Sequence, residues 1–419
     1  MENTLNLPWY RRLHWQVFTA MFVGTIAGLV GGAELVPKVA WLGELFIKLL
    51  RMMIVPLVLT SIISGVASVG GGRSVGRLFS KTLGYYFLTS GLAALTGLLL
   101  VNLINPGVGA TFAGVENATL PELTTATTPK ELLLDVVPEN VVAAAASGKM
   151  LAIIFFSILL GMTIGGLPDS HRQVLTSFFD SAFQAMMKMT GTIIKFAPIG
   201  VFGLIVRVVG ETGFASFKAL GLYMLTIASG LLIHLFITLP IVLIVLGQIR
   251  PWIHFRNMIE PMVMAFSTSS SAATLPVTMN AVENKVGASN KVTSFVLPMG
   301  STVNMDGTAL YECAGVLFIA QALGADLSLM QQGVVVLTAL LASIGAAAVP
   351  SAGLVIIFLV LEAVGLRGPE VDAIVGAMFA IDRPLDMGRT VVNIYSDSCG
   401  AAIIARSEGE TNVDTEVVP

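Results

Sequence analysis

The chain has 419 residues, 55% hydrophobic and only 12% charged, with a formal net charge of −3 and a mean hydropathy of +0.85. That composition excludes an ordinary soluble domain and reads as a polytopic membrane protein. No basic block or aromatic platform points to nucleic acid. Cys313 and Cys399 lack CxxC or Cys/His spacing and read as small core residues, not as a disulfide or metal site.

Apolar spans fall near 14–32, 39–69, 79–104, 132–166, 173–209 and 217–247, several long enough to tilt or break. The first, from Phe18 to Val30, lacks the flanks of a cleaved signal and reads as a membrane span. Arg11 and Arg12, then Arg73, Arg77 and Lys81, then His171 and Arg172, then Arg250 and Arg256 lie on alternate connectors. That asymmetry places those connectors and the amino terminus in the cytoplasm. The opposite connectors are poor in Lys and Arg: 105–131 sets Glu116 and Glu122 against Lys130, and 210–216 holds only Glu211. Rich in Thr and Pro, 105–131 is expected to be a mobile outer loop, its Asn117-Ala118-Thr119 sequon inert in a bacterial protein. His234, inside an apolar run, is expected to make a helix–helix hydrogen bond, with a proton relay as the alternative.

Beyond residue 250 the texture changes. Residues 258–283 form two apolar arms, each too short to span, separated by Ser269-Ser270-Ser271-Ala272-Ala273-Thr274. Residues 330–366 repeat the plan around a small-residue break from Ser343 to Gly353. A long apolar span with a polar interruption follows each: Asn304–Thr308 after the first and Asp386–Thr390 after the second. Paired interrupted segments point to an internal repeat with a transport site at the membrane midplane. Lys285, Lys291 and Arg406 mark one side, and Asp326, Glu370 and Asp372 against a single Arg367 mark the other. The first hairpin therefore enters from the cytoplasm and the second from outside.

The densest polar stretch is 382–397. Asp382, Asp386, Arg389 and Asn393, at steps of four, three and four, share one helix face, with Thr390 and Asp397 on or beside it. A charge at membrane depth costs about 2.5–3.5 kcal/mol, so the stripe is either a binding surface or a set of structural ion pairs between helices. Asp386 and Arg389 could neutralise each other, but Asn393 and Asp397 would remain. The stripe reads as a surface for a zwitterionic or ionic ligand.

TSSSAATLP (268–276), NMDGTALYE (304–312), SIGAAAVPSAG (343–353) and DMGRTVVN (386–393) resemble the glutamate transporter family. These are the dicarboxylate/amino acid:cation symporters, which include prokaryotic homologues of excitatory amino acid transporters, and the resemblance covers essentially the whole chain. It implies an all-α polytopic membrane protein of eight transmembrane helices plus two re-entrant helical hairpins, with inverted repeats and an elevator-type mechanism. It further implies a homotrimer in the cell's inner membrane, in contact with lipid, both termini cytoplasmic. Residues 1–78 would hold scaffold helices 1–2, 79–106 transport-domain helix 3, and 107–216 the outer loop and scaffold helices 4–5. Residues 217–419 would be the transport domain: helix 6, hairpin 1 (about 254–284), helix 7, hairpin 2 (about 330–367) and helix 8.

The same resemblance implies an acidic amino acid, L-glutamate or L-aspartate, as substrate and no organic cofactor. Arg389 would meet the side-chain carboxylate, Asp386 and Thr390 the amino group, and Ser271 and Asn393 the main-chain carboxylate. Thr308, Ser269, Val349 and Gly353 would complete the pocket. The chemistry agrees, since a planar guanidinium grips a carboxylate bidentately and an aspartate suits an ammonium. Neutralising Asp386 is the rival role for Arg389. One sodium would take oxygens from Gly300, Asn304, Asn393 and Asp397. A second would take them from Tyr86, Thr89, Ser90, Asn304 and Asp306, where helix packing is the rival role for the first three. A third would use carbonyls of Thr302, Met305, Ser343, Ile344 and Ala346. Sodium is a hard cation that seeks oxygen, and Asp306 and Asp397 have no evident cationic partner in the sequence.

Three features depart from relatives. The arginine that archaeal members carry at the position of Ser269, and animal members at that of Met387, is missing. Arg383 is the candidate replacement, against a snorkelling role at a lipid-facing edge. Glu312 matches an acidic residue of the animal transporters linked to proton and potassium coupling, and a buried glutamate without a fixed partner can carry a proton. Rival classes are a C4-dicarboxylate or neutral amino acid symporter of the same fold, a passive anion channel, and an intramembrane protease. The protease lacks a base beside Ser269–Ser271, and a dicarboxylate has no ammonium for Asp386.

Overall fold

Helices carry the whole architecture, with no strand among the described residues. The computed structural model describes residues 13–67, 73–110, 112, 134, 136–147, 149–213, 215–344 and 352–414. Most of the outer loop expected at 105–131, its sequon included, lies outside them.

The two spans expected at 14–32 and 39–69 form one helical run, α1 (Leu13–Ala67), that reverses at Gly32, where φ 49 and ψ −148 leave the helical region. Only a residue without a Cβ takes that backbone readily. The reversal is visible in the neighbours of α6 (Ala197–Thr212). Gly24 faces Phe202 and Ile205 and Gly28 faces Val209, whereas Phe46 faces Gly200 and Val36 faces Gly210. One arm thus runs along α6 and the other against it, with no loop between them.

The span expected at 132–166 is broken. α3 (Val141–Ser147) is separated from α4 (Met150–Gly165) at Lys149, whose φ −72 and ψ 78 are not helical. The span expected at 173–209 is also two helices, α5 (Asp169–Ile194) and α6, with a bend of 51° between them. Ile63, Ala67 and Ile164 form a small core between α1, α4 and α5.

α2 (Arg73–Ile104) and α7 (Ala215–Ile233) pack against the carboxyl-terminal half. α7 continues to Gly247 through π-helical turns at His234–Thr238 and Leu243–Gly247, on either side of Pro240. A proline cannot donate its backbone hydrogen bond, and widened turns accommodate that loss. The runs Trp15–Ala67, Arg77–Ile104 and Phe217–Gly247 are long and apolar enough to cross a bilayer.

The first hairpin is α8 (Pro251–Thr268) and α9 (Ser271–Ala281). Its break is only two residues wide. Ser269 takes a left-handed backbone (φ 50), and Ser270 caps α9 by accepting a hydrogen bond from the Ala273 amide. The second hairpin is α12 (Leu329–Ile344) and α13 (Ala352–Ala363), its tip outside the described residues. α10 (Asn290–Val303) and α11 (Asp306–Leu323) are interrupted as expected, at Asn304 and Met305.

The matching interruption at 386–390 is absent. α14 (Pro369–Ser407) runs helical for 39 residues, through Pro384 and Gly388. Its polar side chains bond within the helix: Arg389 to Asp386, and the Thr390 hydroxyl to the Asp386 carbonyl. No carbonyl has to leave the helix to satisfy them. α11 is buried on every side except at Gln321, and is the axis round which α2, α7, α12, α13 and α14 pack.

Candidate functional site

α14 presents the predicted stripe as one connected cluster. Arg389, 2% exposed, donates from Nη2 to Asp386 Oδ1 at 2.8 Å and lies 3.3 Å from Asp382 Oδ1. Its guanidinium carbon sits 4.0 Å above the Tyr311 ring of α11, a cation–π contact. Arg383 reaches the other Asp386 oxygen at 3.2 Å. Two guanidiniums thus converge on one carboxylate, the pairing of Arg389 with Asp386 among them. Arg389 Nη1 is buried without a hydrogen-bond partner. A Cβ on Gly353 would lie 2.3 Å from that atom, so glycine is what allows α13 to approach it. Asp382, which the resemblance did not assign to the pocket, is the second anion holding Arg389. Its spacing on the stripe was the signal that could have found it.

Of the other residues expected in the pocket, Thr390 and Asn393 share α14 with this pair, and Thr308 follows Gly307, which abuts the Arg389 backbone. Asn393 Oδ1 accepts the Gly307 amide at 2.8 Å, tying α14 to the start of α11. Thr308, one residue on, is buried with its hydroxyl 3.9 Å from Met305 Sδ. Thr390 is buried and bonded to its own helix. Ser269 and Ser271, both buried, sit at the tip of the first hairpin, and the Ser269 hydroxyl has no hydrogen-bond partner. α9 packs against α14, but no bond joins these two serines to Arg389 or Asn393 among the described residues. Val349 lies outside the described residues. Glu312, one turn after Thr308, is buried with both carboxyl oxygens unpartnered.

Residues expected at two of the three cation sites lie together in part. Gly300, Asn304 and Asp397 meet where α10 breaks. Asn304 donates to Asp397 Oδ1 at 2.9 Å, and a Cβ on Gly300 would lie 2.5 Å from that oxygen. Asn393 faces Gly307 instead. At the second site the Ser90 hydroxyl donates to Asp306 Oδ1 at 2.7 Å and that of Thr89 at 3.2 Å, with Asn304 Oδ1 3.4 Å from Thr89. Tyr86 is close but its hydroxyl donates to the Val296 carbonyl at 2.7 Å. For the third site, Thr302 and Met305 flank the α10 break, and Ser343 and Ile344 end α12 beside it. Ala346 lies outside the described residues.

One neighbour was unforeseen in this role. His234, fully buried in the first π-helical turn of α7, has Nε2 3.0 Å from Asp306 Oδ2. The expected helix–helix hydrogen bond exists, and it gives Asp306 the partner that the sequence alone did not reveal. The signal was a lone histidine in an apolar run, but 72 residues separate the pair.

Buried hydroxyls, amides and carboxylates gather at a broken helix beside an arginine–aspartate cluster, a chemistry that suits a membrane carrier. A model of the Sodium:dicarboxylate symporter family matches residues 13–407, and the chain belongs to that family. It is similar to an "Excitatory amino acid transporter" of Caenorhabditis elegans, 36% identical over 96% of this chain and 90% of that protein. It is 33% identical to the "Proton/glutamate-aspartate symporter" of Escherichia coli, over 94% of this chain and 93% of that one. A "C4-dicarboxylate transport protein" of Bacillus subtilis is 32% identical over 96% and 94%. The family is one of transporters and not enzymes, which removes the protease reading.

Proposed function

We propose that the chain is a secondary-active symporter that takes up L-glutamate or L-aspartate with sodium across the inner membrane, with Glu312 able to carry a proton. The observation that supports this best is the buried Arg389–Asp386 pair, whose Nη1 remains free of hydrogen bonds against Gly353. An acidic amino acid brings both charges that the pair needs. Its side-chain carboxylate takes the guanidinium and its ammonium takes Asp386, so the substrate exchanges one internal ion pair for two external ones. Neither buried charge is left alone, which would otherwise cost about 3–5 kcal/mol.

Coupling to sodium has a route through Asn304. Its amide nitrogen holds Asp397 while its oxygen faces Thr89 of the second cation site, so an ion at either site reorients a group shared by both. Asn393, bonded to the Gly307 amide next to Asp306, extends the connection to the substrate stripe.

The elevator belongs to the same reading. α1, α4, α5 and α6 pack together and would be the scaffold, residues 1–78 and 107–216. α2, α7 and α12 to α14 pack around α11, α8 to α10 pack against α14, and together they would be the moving part, residues 79–106 and 217–419. The parts meet where Arg51 pairs with Asp372, Phe46 contacts Phe379 and Leu204 rests on Gly376. The trimer, the count of eight crossings and the cytoplasmic termini rest on the family resemblance and on the charge asymmetry of the connectors.

A second reading, C4-dicarboxylate uptake, is favoured by one observation: Asp386 is bound by both Arg383 and Arg389. Two guanidiniums suit a dianion with two carboxylates and no ammonium. Thermal-shift measurements with L-aspartate, L-glutamate, succinate and serine, each with and without sodium, separate the readings. Sodium-dependent stabilisation by the acidic amino acids supports the first, succinate alone supports the second, and no response to any of them refutes both.

A further inference from the structure

Residues 408–414 do not leave the protein. Arg406 donates from Nη1 to the Thr411 carbonyl and from Nη2 to that of Val413, both at 3.1 Å, turning the chain back under the helix. Val413 is fully buried, and the Asp414 amide donates to the Val286 carbonyl at the end of the first hairpin. One Asp414 oxygen lies 2.7 Å from His254 Nδ1, and the other accepts from Asn257, both residues on α8. Glu410 accepts from the amide and hydroxyl of Ser289, the residue that caps α10. Glu408 is bound by Arg77 and Lys81 of α2. A Cβ on Gly287 would lie 2.7 Å from the Asn412 carbonyl, so the two backbones meet where only glycine fits.

His254 joins three elements. Its Nε2 lies 2.9 Å from the Ser398 hydroxyl of α14, whose single proton is already given to the Tyr395 carbonyl at 2.7 Å. Its two ring nitrogens thus link α8 to α14 through Ser398 and to the segment after α14 through Asp414. We infer that residues 408–414 are a strap that fastens the first hairpin to α14 and α2, with the buried His254–Asp414 pair as its fastening point. With the strap in place the hairpin moves with α14 and α2 and does not swing open by itself. Its placement on the cytoplasmic side rests on the orientation proposed above; the packing of the strap does not.

Backbone hydrogen–deuterium exchange on the full chain in lipid nanodiscs tests this without any transported ligand, so its failure stands apart from failure of the symport reading. In the unsubstituted protein the Asp414 amide is protected. Asp414→Ala and His254→Phe each speed exchange across 282–290 tenfold or more, while amides of α11 keep their rates. An Asp414 amide that exchanges as fast as a free peptide overturns the strap without any variant. Unchanged exchange at 282–290 in both variants overturns it too, as does acceleration that spreads equally into α11.

Discussion

Gly300→Ala probes the first proposed cation site with one methyl group. An added Cβ would lie 2.5 Å from Asp397 Oδ1 and 2.7 Å from the Tyr86 hydroxyl, distances that carbon and oxygen do not sustain without a bond. Neither oxygen can yield freely, because Asp397 is held by Asn304 and Tyr86 by the Val296 carbonyl. One charge-assisted contact must therefore break, at about 1.5–3 kcal/mol. At 1.4 kcal/mol per factor of ten, that weakens sodium binding roughly ten- to a hundredfold. Sodium titrations followed by thermal shift, without substrate and then with saturating L-aspartate, measure it. An unchanged sodium midpoint in a variant that melts like the parent protein would refute the assignment of Gly300, Asn304 and Asp397 to a cation.

Arg389→Cys is expected to abolish acidic-substrate uptake while leaving the sodium-induced melting shift in place; retained glutamate uptake in proteoliposomes would put the carboxylate anchor elsewhere. Glu312→Gln removes the one carboxyl in α11 with no hydrogen-bond partner. Uptake against pH should flatten relative to the parent, and superimposable profiles would rule out a proton on this residue. Hydrogen bonds from Lys81 and Arg77 hold the Glu408 carboxyl below the usual carboxylate range. A lowered folded value means that its stabilisation is present above the ordinary glutamate value of about 4.3 and is lost as pH falls through the folded one. The melting difference between the parent and Glu408→Gln should therefore be steady near neutrality and close in acid.

The helix stripe of α14 was legible because its residues are local: steps of three and four fix which side chains share a face. The break at Asn304 and Met305 and the turn at Ser269 were legible for the same reason, being written in short polar and small-residue runs. The interruption expected at 386–390 failed on symmetry. Asp386, Arg389 and Thr390 find partners one turn away within α14, so nothing pulls the backbone open as it does at Asn304. That long spans would break was legible from their length, but not that the breaks fall at Lys149 and Lys195–Phe196, because hydropathy averages over a broken helix as smoothly as over a straight one. His234–Asp306 and His254–Asp414 join residues 72 and 160 positions apart, and no local pattern encodes such distances.

The glycines between α1 and α6 have a mechanical consequence. At Gly28, Gly43, Gly200, Gly203 and Gly210 the neighbouring chain comes so near that a single methyl would collide with it. Displacing α6 lengthwise by one residue would bring bulkier side chains into those notches at several points simultaneously. The three rods are therefore keyed like a ratchet that cannot advance a tooth, as the fixed rail of the proposed elevator would have to be.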